Sequence, residues 1–430
     1  MDRFTGLIGI VVILGIAFLF SNNKKRINYR LVFSGLGLQL VIALLVLKVK
    51  PVNDFFQMLG KGMQRIEGFA QEGAGFVYGG LGVMNGPDKV LAYGVGSGFI
   101  FAFNVTATII LVCVLVAILY YFKVMQFIVS VVAKAMNFVM RVSGAEALSN
   151  VASAFVGQVE AQVMIRAYLP TMTKSELLAS MSGSLACIAG GILIVYANMG
   201  ARPDYLMAAS LMAAPGALVI SKIVFPETEV SPTMGNVKLS VDSGYTNLID
   251  AISHGAADGF KIAMNVIAML IGFIALFAMI NFLLGAINPA LSLDSIFGLL
   301  FRPFAWVMGV PGEDVKNVAT LLGQKLTINE FFAFKNLTTH TVNIVTPKGL
   351  TIVTVAICGF ANFSSVGMQI GGIGALAPER RVDLAKLGMK ALLCGTLASY
   401  LSATIAGIII SNYCCSDARK HDQHHLLRDY

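Results

Sequence analysis

Two glutamates, Glu160 and Glu330, are the residues of this chain best placed to do chemistry. Each ends a short polar cluster inside an apolar stretch, Ser153-Ala-Phe-Val-Gly-Gln-Val-Glu160 and Lys325-Leu-Thr-Ile-Asn-Glu330. A charged group at the centre of a membrane costs about 2.5–3.5 kcal/mol even on lenient insertion scales. It persists there only when it faces a cavity, a solute, an ion or a partner cation. Gln158, Asn329, Asn362, Ser364 and Ser365 add neutral donors and acceptors beside the acids. Taken singly, such side chains tie helices together, at less than about 1 kcal/mol a pair. Gathered beside a buried acid in two places, they predict a binding site for a solute rich in hydroxyls or amides. The competing reading is an interhelical ion pair, for which Lys325 stands near Glu330, or a loop outside the bilayer.

Paired acids also serve acid–base catalysis, so an integral-membrane enzyme is one alternative and a passive polar-solute channel another. An enzyme would carry a metal-ligand set or a nucleophile pair beside its acids, and the sequence offers neither. A channel has no need of a polar site closed from both sides. The six cysteines form neither a disulfide framework nor a metal pattern. The tail His421-Asp-Gln-His-His425 has no spacing that fixes a metal geometry. No phosphate-binding G-x-x-x-x-G-K-[ST] loop is present, which argues against ATP-driven transport by this chain alone. No cofactor is expected.

The elements that position these residues belong to a membrane. Of the 430 residues 57% are hydrophobic and 13% charged, too few charges to cover a soluble globule of this size. The mean hydropathy is +0.77. The net charge of +8 is spread over short connections and forms no basic stripe, so nucleic acid is not a partner. Spans are predicted at about 7–20, 31–47, 98–123, 177–196, 205–224, 262–284, 351–373 and 387–411, with an amphipathic interfacial helix over 52–73. Because Lys24-Lys25-Arg26 follows the first apolar run, that run reads as a span and not a signal peptide. The alternation of basic connections places both termini outside the cytoplasm. The polar regions 144–170 and 296–345 do not fit as simple spans. Each precedes a glycine-bearing span, and the intervening helices give them opposite orientations, the pattern of an inverted repeat with broken helices.

Several motifs match one family. Gly157-Gln-Val-Glu160, Pro303-x-Ala-x-x-x-Gly-Val-Pro311, Asn329-Glu-Phe331 and Cys358-Gly-Phe-Ala-Asn-Phe-Ser-Ser365 resemble those of the concentrative nucleoside transporters. Gly98-Phe-Ile-Phe-Ala-Phe103 and Gly374-Ala-Leu-Ala-Pro-Glu-Arg-Arg381 look like further pieces of the pattern. The resemblance implies an all-α polytopic protein of the cytoplasmic membrane, with about eight transmembrane helices, an interfacial helix and two oppositely oriented re-entrant hairpins forming an inverted repeat. It implies a homotrimer, surrounded by lipid, that imports nucleosides by alternating access, driven by a proton or sodium gradient. It further implies that Gln158, Val159 and Glu160 face the nucleobase, that Glu330, Asn362 and Ser365 bind the ribose, and that Phe360 and Ile192 line the cavity. Residues 1–95 would then be the N-terminal scaffold, 96–411 the transport core and 412–430 a polar tail.

The chain departs from the family pattern where a coupling sodium would bind. Ser153 stands for the usual Asn and Cys187 for a Ser or Thr, leaving the carbonyls of Val156 and Ile188. Sodium prefers hard oxygen ligands, and a thiol is a soft, weak acceptor. Asn150, one turn before Ser153, compensates only if its side chain turns inward. The coupling ion is a proton or sodium, and these departures favour the proton, with Glu160 or Glu330 as its carrier. Val159 replaces the usual Thr or Ser, and Gln162 a Pro.

Overall fold

The computed structural model describes residues 2–79, 101–233 and 245–410. Among them every regular element is helical, which lets each segment satisfy its own backbone inside lipid. Helices α1 (Asp2–Leu19) and α2 (Tyr29–Lys48) are apolar, with the basic turn Lys24–Arg26 between them. Asn28 starts α2 by accepting from the Leu31 amide at 3.2 Å, satisfying one of the donors a helix start leaves free. The segment expected at the interface over 52–73 is helical, α3 (Lys50–Tyr78), which buries Phe56, Ala70 and Ala74 while Phe55, Phe69 and Phe76 stay exposed.

The glycine-rich stretch from residue 80, Gly98, the Cys414–Cys415 pair and the histidines of the tail lie outside the described residues. The next helix, α4 (Phe101–Tyr121), ends as expected near Lys123, and α5 (Val124–Met140) leaves it at 76°. Lys123 makes the corner in the left-handed conformation, φ 61°. The first polar region folds as α6 (Gly144–Ser153), an irregular turn and the short α7 (Glu160–Val163).

The span expected over 177–196 is two pieces, α8 (Lys174–Ala186) and α9 (Gly190–Asn198). After these, α10 (Pro203–Val224) is buried along nearly its whole length, and α11 (Leu248–Ile287) is longer than the predicted 262–284. The second polar region holds α12 (Leu293–Leu300), α13 (Arg302–Val307), α14 (Val315–Thr327) and α15 (Glu330–Thr338). The span expected over 351–373 is again divided, into α16 (Pro347–Ile357) and α17 (Phe363–Leu376), before α18 (Arg381–Ile409). Hydropathy read each divided span as continuous because both halves are apolar. Among the described residues α2, α10, α11 and α18 are long and apolar enough to cross a membrane alone, and α4 with α5 makes a fifth candidate.

Helices α10 and α18 form the centre, surrounded by α1, α2, α8 and α16. Gln39 of α2 stitches three of these together, its Nε2 lying 3.0 Å from both the Met212 carbonyl and Ser402 Oγ. The long α11 packs chiefly on α4. At Gly259 a Cβ would stand 2.7 Å from Ile110 Cα, so the two backbones meet through small residues, Gly255 and Gly259, spaced one turn apart.

Both polar regions are clasped at their bases. Asp314 accepts the Val345 and Thr346 amides at 2.8 and 3.0 Å, and Asn317 donates to the Asn343 carbonyl at 2.8 Å, so the segment returns to its own start. Arg380 donates to the carbonyls of Leu169, Pro170 and Met172 at the far end of the first region. At its near end Lys222 pairs with Glu146 and Glu227 and bonds Ser175 at 2.9 Å.

Candidate functional site

Glu330 starts α15, directly after Asn329, whose side chain caps the helix by accepting from the Phe332 amide at 2.9 Å. The cap fixes where the Glu330 side chain leaves the backbone. Its Oε1 accepts from the Tyr196 hydroxyl at 3.1 Å and its Oε2 from Asn362 Nδ2 at 2.9 Å. A carboxylate has about four acceptor directions, so two remain for a solute. Asn362 is itself aimed by α17, which it caps: its Oδ1 accepts from the Ser365 amide at 2.8 Å and Ser364 Oγ at 2.7 Å. Ser365 is buried, and its Oγ has no partner among the described residues.

The tip of the first polar region meets α17 from the other side. Gln158 is buried with its Nε2 3.8 Å from the Met368 thioether, and its Oε1 is without a described partner. Val159 packs where Gly372 leaves room, since a Cβ there would stand 2.7 Å from Val159 Cγ1. Glu160 begins α7, its carboxylate turned back to the Val159 amide at 3.3 Å. Gly157 permits this, with φ 122° and no Cβ, which would lie 2.6 Å from Glu160 Oε2. Among the described residues neither Glu160 nor Glu330 makes an ion pair, so the interhelical ion-pair reading finds no support there. Ile192 and Phe360 are half-buried on α9 and between α16 and α17.

The two helix breaks touch. The Gly190 amide, freed by the break after α8, bonds the Phe155 carbonyl at 3.0 Å, and the Phe360 amide bonds the Cys187 carbonyl at 3.2 Å. Each break therefore satisfies its backbone with the other or with the adjoining tip. Behind both lies α10. The Cys187 and Cys358 thiols reach its carbonyls at Ser210 and Leu206, at 3.8 and 3.9 Å.

Of the candidate ion ligands, Ser153 Oγ bonds the Ser149 carbonyl at 2.7 Å and Ser184 Oγ at 2.8 Å. The Ser210 hydroxyl lies 3.0 Å from the Ala154 carbonyl and 3.4 Å from that of Ile188. Val156 is buried beside them. Asn150 Nδ2 bonds the Glu146 and Ala179 carbonyls, and its Oδ1, lying against Gly183, is buried with no partner among the described residues. Gln162, the replacement for the family's Pro, joins this network through Ser184 and Ser180 at 2.8 and 2.7 Å. The serine hydroxyls thus bond one another and neighbouring carbonyls, while Asn150 Oδ1 stays without a described partner.

All the residues expected to meet a solute, from Gln158 to Ser365, lie around these tips and breaks. Sequence reasoning missed Tyr196, which is fully buried, stacked on Phe334 at 4.3 Å and bonded to Glu330. In the run Gly190-Gly-Ile-Leu-Ile-Val-Tyr196 nothing sets it apart from a core aromatic.

Residues 8–81 match the family described as "Na+ dependent nucleoside transporter N-terminus", 205–407 its "C-terminus" counterpart, and 102–203 "Nucleoside recognition". The chain is 39% identical to the Bacillus subtilis "Uncharacterized transporter YutK" over 416 residues, 95% of this chain and 100% of that one. It is 37% identical to the Helicobacter pylori "Nucleoside permease NupC", covering 94% and 97%. Among solved structures, that of "CNTnw in an inward-facing substrate-bound state" superposes with a TM-score of 0.89 at 38% identity, covering 96% of this chain and 100% of that one.

Proposed function

The chain belongs to the concentrative, Na+-dependent nucleoside transporter family, and from that premise we propose that it is a symporter importing nucleosides by alternating access. It is a multi-pass protein of the cytoplasmic membrane and a transporter, not an enzyme. The observation that carries the proposal is Glu330 held between Tyr196 and Asn362, with unpartnered polar atoms on Ser365 and Gln158 nearby. Glu330, Asn362 and Ser365 take the ribose hydroxyls, a carboxylate and an amide being suited to a vicinal diol. Gln158, Val159 and Glu160 read the base, and Phe360 and Ile192 line its ring. The two polar regions act as re-entrant hairpins related by an inverted repeat, carried in a transport core over residues 96–411 against the scaffold of 1–95. Three copies assemble.

The family's description names sodium, but our reading for this chain is a proton. The support is the network in which Ser153, Ser184, Ser210 and Cys187 already bond one another and the neighbouring carbonyls. Uptake of labelled uridine, adenosine and inosine into proteoliposomes, under separate proton and sodium gradients, tests both readings. Uphill accumulation under a proton gradient in sodium-free buffer is the expected outcome. Accumulation only with sodium overturns the proton reading. Mere equilibration overturns symport.

A further inference from the structure

The motif that begins at Pro303 is preceded by Arg302, and the solute site uses neither. Arg302 opens α13, and one turn on stands Trp306, the single tryptophan of the chain. Both are exposed. Tryptophan gathers where lipid tails meet headgroups, which puts Arg302 at headgroup level. An arginine there lays its stem on apolar surface and keeps its charge among the headgroups.

Arg302 lines a groove of about 360 Å³ together with Lys316, from the first turn of α14. The walls are mostly apolar: Leu291 from the turn after α11, and the exposed Ile296 and Leu299 of α12. Ser295 also lines it but turns its hydroxyl back to the Ser292 carbonyl at 2.8 Å. At Gly298 a Cβ would stand 3.1 Å from Thr320 Oγ1, so the missing side chain lets α12 lie against α14. No carboxylate lines the groove, and among the described residues neither Arg302 nor Lys316 makes an ion pair. Of the acids close by in sequence, Asp294 accepts from Gln324 and Asp314 from the Val345 and Thr346 amides, while Glu313 is not part of the lining.

We propose that this groove binds a phospholipid of net negative charge, its phosphate between Arg302 and Lys316 and an acyl chain along Leu291, Ile296 and Leu299. A free anion would leave the apolar walls uncovered, and a neutral lipid would leave the two cations without net compensation. The planar fork of an arginine takes two phosphate oxygens, and a lysine adds a point charge. Basic side chains in a cleft between membrane helices hold acidic headgroups in this way. The lipid touches the turn after α11, helices α12 and α13, and the start of the second polar region, two residues from the Asp314 clasp. It therefore braces the base of that region against the bilayer.

The test uses the full-length protein in mild detergent, with bound lipid counted by native mass spectrometry and unfolding followed by temperature. Phosphatidylglycerol, phosphatidylcholine of the same chain length, and glycerol phosphate, a headgroup without chains, are added separately. The parent should hold phosphatidylglycerol in preference to phosphatidylcholine, and unfold at a higher temperature with it, while glycerol phosphate has no effect. Arg302→Gln/Lys316→Gln should hold one phosphatidylglycerol fewer per subunit, with roughly thirtyfold weaker affinity. Leu299→Asn, which keeps both charges, should also weaken the binding, and it decides alone if the double variant does not fold. Lys25→Gln/Lys134→Gln removes two exposed charges elsewhere and should bind as the parent does. Equal retention of the two lipids, or equal losses in the two double variants, overturns the proposal. Equal stabilisation by glycerol phosphate makes the groove a site for free anions and overturns it too. So does a smaller assembly in Arg302→Gln/Lys316→Gln when the parent holds no phosphatidylglycerol, which assigns the groove to a second copy of the chain.

Discussion

Glu330 presents its free lone pairs in fixed directions because Tyr196 and Asn362 each take one oxygen. Each charge-assisted hydrogen bond to a ribose hydroxyl contributes on the order of 1.5–3 kcal/mol. Glu330→Gln should therefore weaken uridine binding by about a hundredfold or more while the protein still inserts. Tyr196→Phe keeps the ring on Phe334 and loses only the hydroxyl, so about tenfold weaker binding is expected with little change in unfolding temperature; calorimetric titration checks both. Gln158→Ala should reorder uridine, adenosine and inosine, whereas Ser365→Ala should weaken all three together. Equal losses for Gln158→Ala across the three would refute its role in base reading. The acids were legible in the sequence because a carboxylate among apolar residues is costly and stands out. Tyr196 was not, since an aromatic in an apolar run declares no partner until the fold supplies one.

At the scale of elements, the polar regions and most spans could be read from hydropathy and charge, but the breaks in two of those spans could not. Residues 177–196 and 351–373 are apolar on both sides of each break, so their pattern is that of a single helix. What divides them is tertiary: the Gly190 amide turns to Phe155, and the Phe360 amide to Cys187. Nor did the sequence reveal that α5 turns away from α4 at Lys123. Glycines mark the tightest of these places. Gly157→Ala would force a side chain into a backbone at φ 122° and drive its Cβ to 2.6 Å from the Glu160 carboxylate. Such strain costs about 1–3 kcal/mol, which a protein of this size tolerates. The expected result is normal expression and insertion with uridine uptake reduced at least about tenfold, measured in proteoliposomes.

At the scale of the whole molecule, the Asp314 clasp closes the second polar region on itself, the Arg380 clasp holds the first to the start of α18, and both broken helices rest on α10. What couples transport to an ion should then depend on a few ligands and not on the architecture. Ser153→Asn with Cys187→Ser restores two hard ligands, so the double variant is expected to accumulate uridine under a sodium gradient where the parent does not. Failure to gain sodium dependence would show that the closed network around Ser184 and Ser210 matters more than those two side chains. The length of α11 carries a further consequence. From Ile262 to Ile287 it holds no charged residue, about 39 Å of helix against a hydrocarbon layer about 30 Å thick. Such an excess is relieved by tilting the helix or by thickening the bilayer around it, and Gly255 and Gly259, packed closely on α4, tie that helix to the same response. Bilayer thickness thereby becomes a mechanical input, and uptake should vary with the acyl-chain length of the lipid, fastest where thickness and slope agree.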